Sequence, residues 1–505
     1  MTLGKTLTIS LQGLVGSLIE VECDIADGIP TYSLLGLPDA SLHESRDRVR
    51  AALTNTGHRW PNKKVTVSLS PAWLHKSGPS FDLAIALALL VAEGSISQER
   101  LEDFVILGEL ALDGGIRSVR GVLPSLIAAY KSGITRALVP KANANEAALM
   151  EQMEILSFSH ISEIFQWLAT GEISFDSHEI SHVDSESKAP DFEDVAGQLR
   201  ARRAAEIAAS GGHHLLLIGP PGAGKTMIAS RIPSILPPLS LNEALEVTAI
   251  HSIAGGLTER SVMSRVAPIV SPHHSASRAS IVGGGGRAIQ PGAISLSHRG
   301  VLFIDEAPEC ALGILDSLRQ PLESGEVTIA RQIGNVTFPA KFLLVLAANP
   351  CPCGKYTGKG RACTCSSLQV RRYLGKLSGP LMDRIDLRVI VDPVSRVELA
   401  ADVLGESSQK IRERVIGARI RAAKRFEGEN WQLNAEIPAR ALQRDYRPER
   451  DAINFLHELL DKERITARGL HKIIRVAWTL SDLQGREIPG LPEVAQAYEF
   501  REGVR

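Results

Sequence analysis

The eight residues GPPGAGKT, Gly219 to Thr226, constrain this chain more than any other stretch. They satisfy the pattern G-x-x-x-x-G-K-[ST] in full, and their flanks are those the pattern requires. His214 to Ile218 (HLLLI) reads as a short buried strand, and Met227 to Ile232 as the start of a helix. A strand that turns through glycines into a helix aims several backbone N–H groups at one anion, because glycine lets the backbone approach closely. Gly219, Pro220, Pro221, Gly222, Ala223, Gly224, Lys225 and Thr226 are therefore the candidate contacts to the phosphates of ATP. Lys225 can place a charge at the β/γ-phosphates, and Thr226 a hydroxyl on Mg²⁺.

A second stretch supplies the partner chemistry. VLFIDE, Val301 to Glu306, is an apolar run closed by two acids. Such a run reads as a buried parallel strand that ends at the carboxyl edge of a sheet, where ligands bind in α/β folds. Asp305 is the candidate Mg²⁺ ligand, and Glu306 the candidate general base for the attacking water. Asn349 follows the strand-like run Phe342–Ala347 and can hydrogen-bond that water or the γ-phosphate.

The rest of the composition excludes more than it asserts. The 505 residues suit three or four domains. An apolar content of 44% and a charged content of 22% are those of an ordinary globular protein. The net charge of −1 gives no global field for nucleic acid, so any such contact needs local patches. The longest apolar run, Leu83 to Ala92, falls well short of a membrane span of about 18 residues. No secretory signal pattern opens the chain, and four of the six cysteines crowd into Cys351 to Cys365. The expectation is a cytoplasmic protein without a membrane partner.

In chain order, residues 1–170 alternate strand-like runs (Leu7–Leu11, Leu18–Cys23, Lys64–Leu69, Val105–Leu110, Arg136–Val139) with helix-like ones (Ser41–Thr54, Phe81–Val91, Val122–Lys131). The polar, acidic stretch 171–192 reads as a linker. Residues 193–394 hold both phosphate motifs, with a helix expected over Gln198–Ser210 and another over Gly313–Glu323. Between the motifs, Ser271 to Gly300 contains four consecutive glycines, Gly283–Gly286. They predict a mobile loop, made locally basic by His273, His274, Arg278 and Arg287. Two readings of it stand: a loop that touches a polyanion, and a solvated surface loop. Gly334–Asn335 predicts the turn of a hairpin flanked by Val327–Ala330 and Val336–Phe338. From 395 to 505 the pattern is helical, with helices over Glu406–Phe426, Arg450–Glu463 and Ala467–Leu483.

Cys351, Cys353, Cys363 and Cys365 form two C-x-C pairs. In an extended segment residues i and i+2 point the same way, so each pair can offer two thiolates to one side. Four thiolates suit tetrahedral Zn²⁺. Three readings stand in order: a zinc site, free or redox-active thiols, and disulfides. The intervening GKYTGKGRA carries three glycines and three basic residues, enough for a small basic knuckle.

Two resemblances add to this reading. SGPSFDLAIALALL (Ser77–Leu90) and LGELALDGGIRSVRGVLPSLIAAYKSGITRALVP (Leu107–Pro140) resemble the proteolytic domain of the Lon family. Ser80 matches that family's nucleophile, but Leu123 stands where its lysine base should be. A serine without a base is a poor nucleophile, so the front domain is expected to be a non-peptidase scaffold; Lys76 or Lys131 as a substitute base is the alternative. FEDVAG (Phe192–Gly197) resembles the approach to AAA+ modules, where that segment touches adenine. GPPGAGKT, SPHHSASRASIVGGGG, VLFIDE, FPAKFLLVLAANPCPCG and SGPLMDRIDLRV then follow in the order seen in the magnesium-chelatase-like AAA+ family. The Lon-like front and the cysteine cluster resemble its ComM/YifB branch.

The resemblance implies an α/β fold in three parts. These are a Lon-protease-like (S5-like) α/β N-terminal domain, a P-loop AAA+ α/β domain with a parallel sheet, and a C-terminal α-helical lid. It implies that Arg384 reaches a neighbouring subunit's ATP, as an arginine's planar fork suits γ-phosphate oxygens. It also matches Arg468, in the helix capped by Thr466, to a sensor-2 arginine, with Arg475 as competitor. The implied function is that of a hexameric, ATP-driven DNA helicase promoting branch migration during integration of transforming DNA, with single-stranded and branched DNA as partners. A magnesium-chelatase motor subunit that drives metal insertion into a porphyrin is the alternative; an ATP-dependent protease is disfavoured by the missing lysine.

Overall fold

The computed structural model describes residues 3–76, 78–171, 190–257, 263–285, 289–311, 313–331, 334–356, 362–393 and 405–503. Most of the expected linker, Gly286, Arg287, the tip of the cysteine knuckle and the 394/395 boundary lie outside the described residues.

The front domain is built on a seven-stranded sheet. Its strands are β1 (Gly4–Gln12), β2 (Val15–Ala26), β3 (Thr31–Leu35), β4 (Lys64–Ser70), β5 (Phe104–Ile106), β6 (Arg136–Pro140) and β7 (Glu154–Phe158), in the order β3-β4-β2-β1-β5-β6-β7. β1 and β2 form an antiparallel hairpin, while β5, β6 and β7 run parallel. α1 (Ser45–Asn55), α2 (Asp82–Glu93) and α3 (Val122–Lys131) pack around it. α2 is apolar on every side, and each residue from Asp82 to Ala92 is buried. A helix apolar all round belongs inside a domain. It lies so close to β1 that a Cβ on Gly4 would sit 2.0 Å from the Ala88 carbonyl oxygen. The helix expected over Ser41–Thr54 is two, Ala40–His43 and α1. This is the expected Lon-like α/β arrangement.

The second unit is a five-stranded parallel sheet, as expected of the P-loop domain. Its strands are β8 (Leu215–Ile218), β9 (Ile269–Val270), β10 (Val301–Ile304), β11 (Leu343–Ala348) and β12 (Leu387–Ile390), in the order β9-β10-β11-β8-β12. β8, β10 and β11 are short apolar runs, buried almost throughout. The registers Ile218↔Ala348 and Ile304↔Leu346 bring the carboxyl ends of these strands to one edge. α4 (Leu199–Gly211), α5 (Lys225–Ile235) and α6 (Leu241–Ala254) belong to this unit. α6 was not anticipated, although Ser240 and Glu243 form a full capping box at its start.

Three local expectations are corrected. The helix expected over Gly313–Glu323 is two short turns, Leu315–Leu318 and Pro321–Ser324. Pro321 has no N–H to donate and its ring clashes with a preceding carbonyl, which ends one helix and starts another. Gly334–Asn335 is not the hairpin turn. Both residues pair within the ladder, Arg331↔Gly334 and Ala330↔Asn335; residues 332–333 between the strands lie outside the described residues. Nor are the first glycines of the run a loose loop. Gly283 and Gly284 are buried and pair antiparallel with Gln290–Pro291. A Cβ on Gly283 would lie 2.6 Å from Ile329 Cδ1, so glycine serves close packing there.

The C-terminal unit is helical: α7 (Ser408–Arg425), α8 (Arg450–Asp461), α9 (Ala467–Gln484) and α10 (Leu491–Glu502). A buried polar cluster ties it to the sheet. Lys472 Nζ, on α9, donates to Asp386 Oδ1 at 2.6 Å and to the Arg384 carbonyl at 2.9 Å. The His214 N–H donates to Asp386 Oδ2 at 3.2 Å, and His213 Nδ1 lies 3.6 Å from the same oxygen. Burial alone would raise the Asp386 carboxyl; the Lys472 ammonium and the two histidines outweigh it and hold the group well below the usual carboxylate range. A carboxyl depressed in the folded state adds stability above its unfolded pKa, and that stability is lost as pH falls through the folded value. Asp386→Asn leaves Lys472 buried without its counter-charge, a change that costs about 3–5 kcal/mol. Thermal unfolding at pH 7 should shift well downward, and the gap from the parent protein should begin to narrow below about pH 4 and close only as pH falls through the folded value. An unchanged midpoint at pH 7 contradicts this anchoring.

Candidate functional site

The phosphate-binding loop joins β8 to α5. Gly222 (φ +77°) and Gly224 (φ +89°) adopt left-handed backbone with open space where a Cβ would sit, so glycine is needed there for conformation. Gly219 is needed for space, as a Cβ would lie 2.2 Å from the Val391 carbonyl oxygen. Gln198, on the approach to α4, braces the loop from outside: its Nε2 donates to the Ala223 carbonyl at 3.1 Å and to the Asp392 carbonyl at 2.5 Å.

Lys225 is buried, and its Nζ donates to the carbonyls of Gly219 (2.7 Å) and Pro220 (2.9 Å) and to Asn349 Oδ1 (3.2 Å). Burial lowers its pKa, and the nearby Asp305 and Glu306 charges oppose that. Thr226 Oγ1 donates to Asp305 Oδ2 at 2.6 Å. The two oxygens expected on Mg²⁺ are therefore side by side, a hard-donor pair that fits the ion. The Glu306 N–H donates to Asp305 Oδ1 at 2.8 Å. Glu306 itself sits at φ +49°, ψ +40°, a left-handed conformation unfavourable for a side chain of its kind. Strain of this type persists only where the surroundings impose it, and it gathers at functional sites. The sheet thus brings Lys225, Thr226, Asp305, Glu306 and Asn349 to one edge.

One residue at this edge was not foreseen in its role. His274, expected on a basic loop, places Nδ1 3.2 Å from Glu306 Oε2, and its ring lies 4.1 Å from that of His273. Only the path of the segment after β9 could reveal that pairing.

No described contact joins Arg384 or Arg468 to the phosphate loop. Arg384 forms an ion pair with Glu323 and donates from Nη1 to the Pro380 carbonyl at 2.7 Å. Arg468 is exposed, with Nη1 3.8 Å from Asp383 Oδ2. Arg475 is occupied by structure, as both Nε and Nη2 donate to the Ile437 carbonyl.

The four clustered cysteines are free thiols whose Sγ atoms all lie within 4.8 Å of one another. The Cys351–Cys353 separation is 3.3 Å, and Cys363 is 3.6 Å from each of these two. Disulfide bonds would be much shorter, about 2.05 Å. Four sulfurs about 2.3 Å from one Zn²⁺ would stand about 3.8 Å apart, close to what is seen. Backbone N–H groups of Lys355 and Thr364 pull the Cys353 thiol down to about 5, while desolvation pushes Cys363 up to about 12. One thiolate in contact with its neighbours makes the next harder to form unless a cation compensates.

Ser80 lines a separate cavity of about 460 Å³ between the front domain and the ATPase unit, with Asp39, His75, Glu109, Arg120 and Val336 also in its wall. No side-chain hydrogen bond reaches Ser80 among the described residues. Leu123 is fully buried, and Lys76 is buried with Nζ donating to the Leu69 and Pro71 carbonyls. Lys131 is exposed in the last turn of α3. Neither lysine is hydrogen-bonded to Ser80. Ser80→Ala should leave ATP hydrolysis unchanged, and neither form should cleave a fluorogenic casein; cleavage by the parent that the variant loses would overturn the scaffold reading.

Comparison with known proteins agrees along the chain. Three family models match: "Subunit ChlI of Mg-chelatase" over residues 21–143, "Magnesium chelatase, subunit ChlI" over 191–399, and "Magnesium chelatase, subunit ChlI C-terminal" over 405–501. An uncharacterized protein of Mycobacterium tuberculosis is 46% identical, with 99% of each chain covered. Competence protein ComM of Haemophilus influenzae is 39% identical, over 100% of this chain and 98% of its own. The uncharacterized protein YifB of Escherichia coli is also 39% identical, over 99% and 97%.

Proposed function

The chain belongs to the magnesium-chelatase-like AAA+ family, in its ComM/YifB branch, and on that premise we propose that it is an ATP-driven DNA helicase of ComM type. In this reading it assembles as a hexameric ring and promotes branch migration in the cytoplasm, acting on single-stranded and branched DNA. The observation that carries the reading is the likeness to Competence protein ComM over essentially the whole of both chains. No described helix is long and apolar enough to cross a membrane.

In this mechanism the loop N–H groups and Lys225 hold the phosphates, and Thr226 and Asp305 hold Mg²⁺. Bound Mg²⁺ supplies charge neutralisation at the phosphates. Glu306 takes a proton from the attacking water, and Asn349 orients that water while bonding Lys225. His274 already engages one Glu306 oxygen, so it sets the direction in which the carboxylate faces. Arg384, released from Glu323, serves the ATP of the neighbouring subunit's site, and Arg468 acts as the sensor-2 arginine. The four cysteines hold one Zn²⁺ per chain.

The reading is tested by ATP hydrolysis with and without single-stranded DNA: DNA should raise the rate several-fold. The family models carry the name of a magnesium-chelatase subunit, and that alternative predicts stimulation by a porphyrin-binding partner instead. Lys225→Ala should abolish hydrolysis. Glu306→Gln should bind ATP and not turn it over; normal turnover would remove Glu306 as base.

Arg384→Ala and Lys225→Ala chains have complementary defects if Arg384 acts in trans. Mixed with DNA and ATP, the two inactive proteins should regain part of the ATPase, well above a background lowered by about 10³–10⁵. No rescue despite demonstrated co-assembly would count against the assignment.

A further inference from the structure

The cysteine cluster is built directly onto the phosphate-binding loop. Asn349, whose side chain accepts from Lys225, directly follows β11, and Cys351 comes two residues later, fully buried. The chain then turns through Cys351–Gly354, closed by the Gly354 N–H donating to the Cys351 carbonyl at 2.9 Å. Gly354 adopts φ +73°, and a Cβ there would lie 2.6 Å from Pro221 Cδ and 2.8 Å from Cγ. The backbone of the turn thus lies flat against a proline of the phosphate loop. Two of the four sulfurs belong to this turn, and the other two stand just before the helix Ser367–Leu374.

We propose that a soft divalent cation on Cys351, Cys353, Cys363 and Cys365 braces the phosphate-binding loop, and that Gly354 is the positioning residue through which the brace acts. The proposal rests on the reading of the cluster as a metal site. With the cation bound, the turn is fixed between two pairs of ligands, and it holds Pro221 from one side and Asn349 from the other. Without it, the four sulfurs have no common partner. The turn then relaxes from Pro221, and the loop N–H groups lose part of their alignment. Coupling between two sites is reciprocal, so ATP must tighten the metal by the factor by which metal tightens ATP.

The test uses the full chain purified without chelator. Metal content is measured by elemental analysis, and affinity by titration with a fluorescent ATP analogue. One zinc per chain is expected. Removing it with a chelator should weaken ATP binding on the order of 5–150-fold, the usual span of such coupling, with thermal unfolding of the sheet unit retained. A non-hydrolysable ATP analogue should slow the release of zinc to the chelator. Gly354→Ala should keep its zinc and show the same loss of ATP affinity; Pro221→Ala, which removes the contact from the other side, should shrink the difference between loaded and depleted protein. Protein without bound metal would overturn the metal reading and the brace with it. Bound zinc, with ATP affinity within twofold on depletion and in Gly354→Ala, would overturn the brace alone.

Discussion

The ammonium of Lys225 joins the ends of two neighbouring strands. It donates to the carbonyls of Gly219 and Pro220 beyond β8 and to Asn349 beyond β11. A buried charge must find such partners, because leaving water without them costs several kcal/mol. The strand order follows from the same requirement. β8 lies beside β11, and β11 beside β10, so Asp305 and Glu306 arrive within reach of Thr226 and of the lysine's field. The apolar runs that make these strands buried are thus what gathers the polar residues at their ends.

Around that edge, charges from distant parts of the chain are held by short local contacts. Asp386 fixes Lys472 of the lid and, through it, the backbone of Arg384. The front domain reaches the ATPase unit in a similar way. Glu146, raised by burial, accepts hydrogen bonds from the Leu123 N–H of its own domain and from Ser252 of α6. Leu123, at the position of the missing Lon lysine, therefore helps to hold the domain interface.

Legibility followed range. The phosphate loop and the acids after β10 were readable because each motif is local and its flanks are apolar runs of strand length. Residues 1–170 read as mixed α/β for the same reason, although β3 and β7 were not anticipated; both are short and only partly buried. What was misread depended on partners far along the chain. The glycines at 283 and 284 looked loose because composition cannot show that Ile329 closes on Gly283 or that both pair with Gln290–Pro291. The partner of Arg384 within the chain is Glu323, far away in sequence and placed by the break at Pro321. The His274–Glu306 contact and the Gly354–Pro221 contact are of the same kind.

We propose that ATP hydrolysis at this edge drives the movement of DNA strands. It is tested most directly on a synthetic Holliday junction with mobile arms, incubated with the purified protein, Mg²⁺ and ATP. Resolution into duplex products that requires ATP hydrolysis, and that fails with a non-hydrolysable analogue, is the predicted result. Intact junctions in the presence of demonstrated ATP turnover would contradict it.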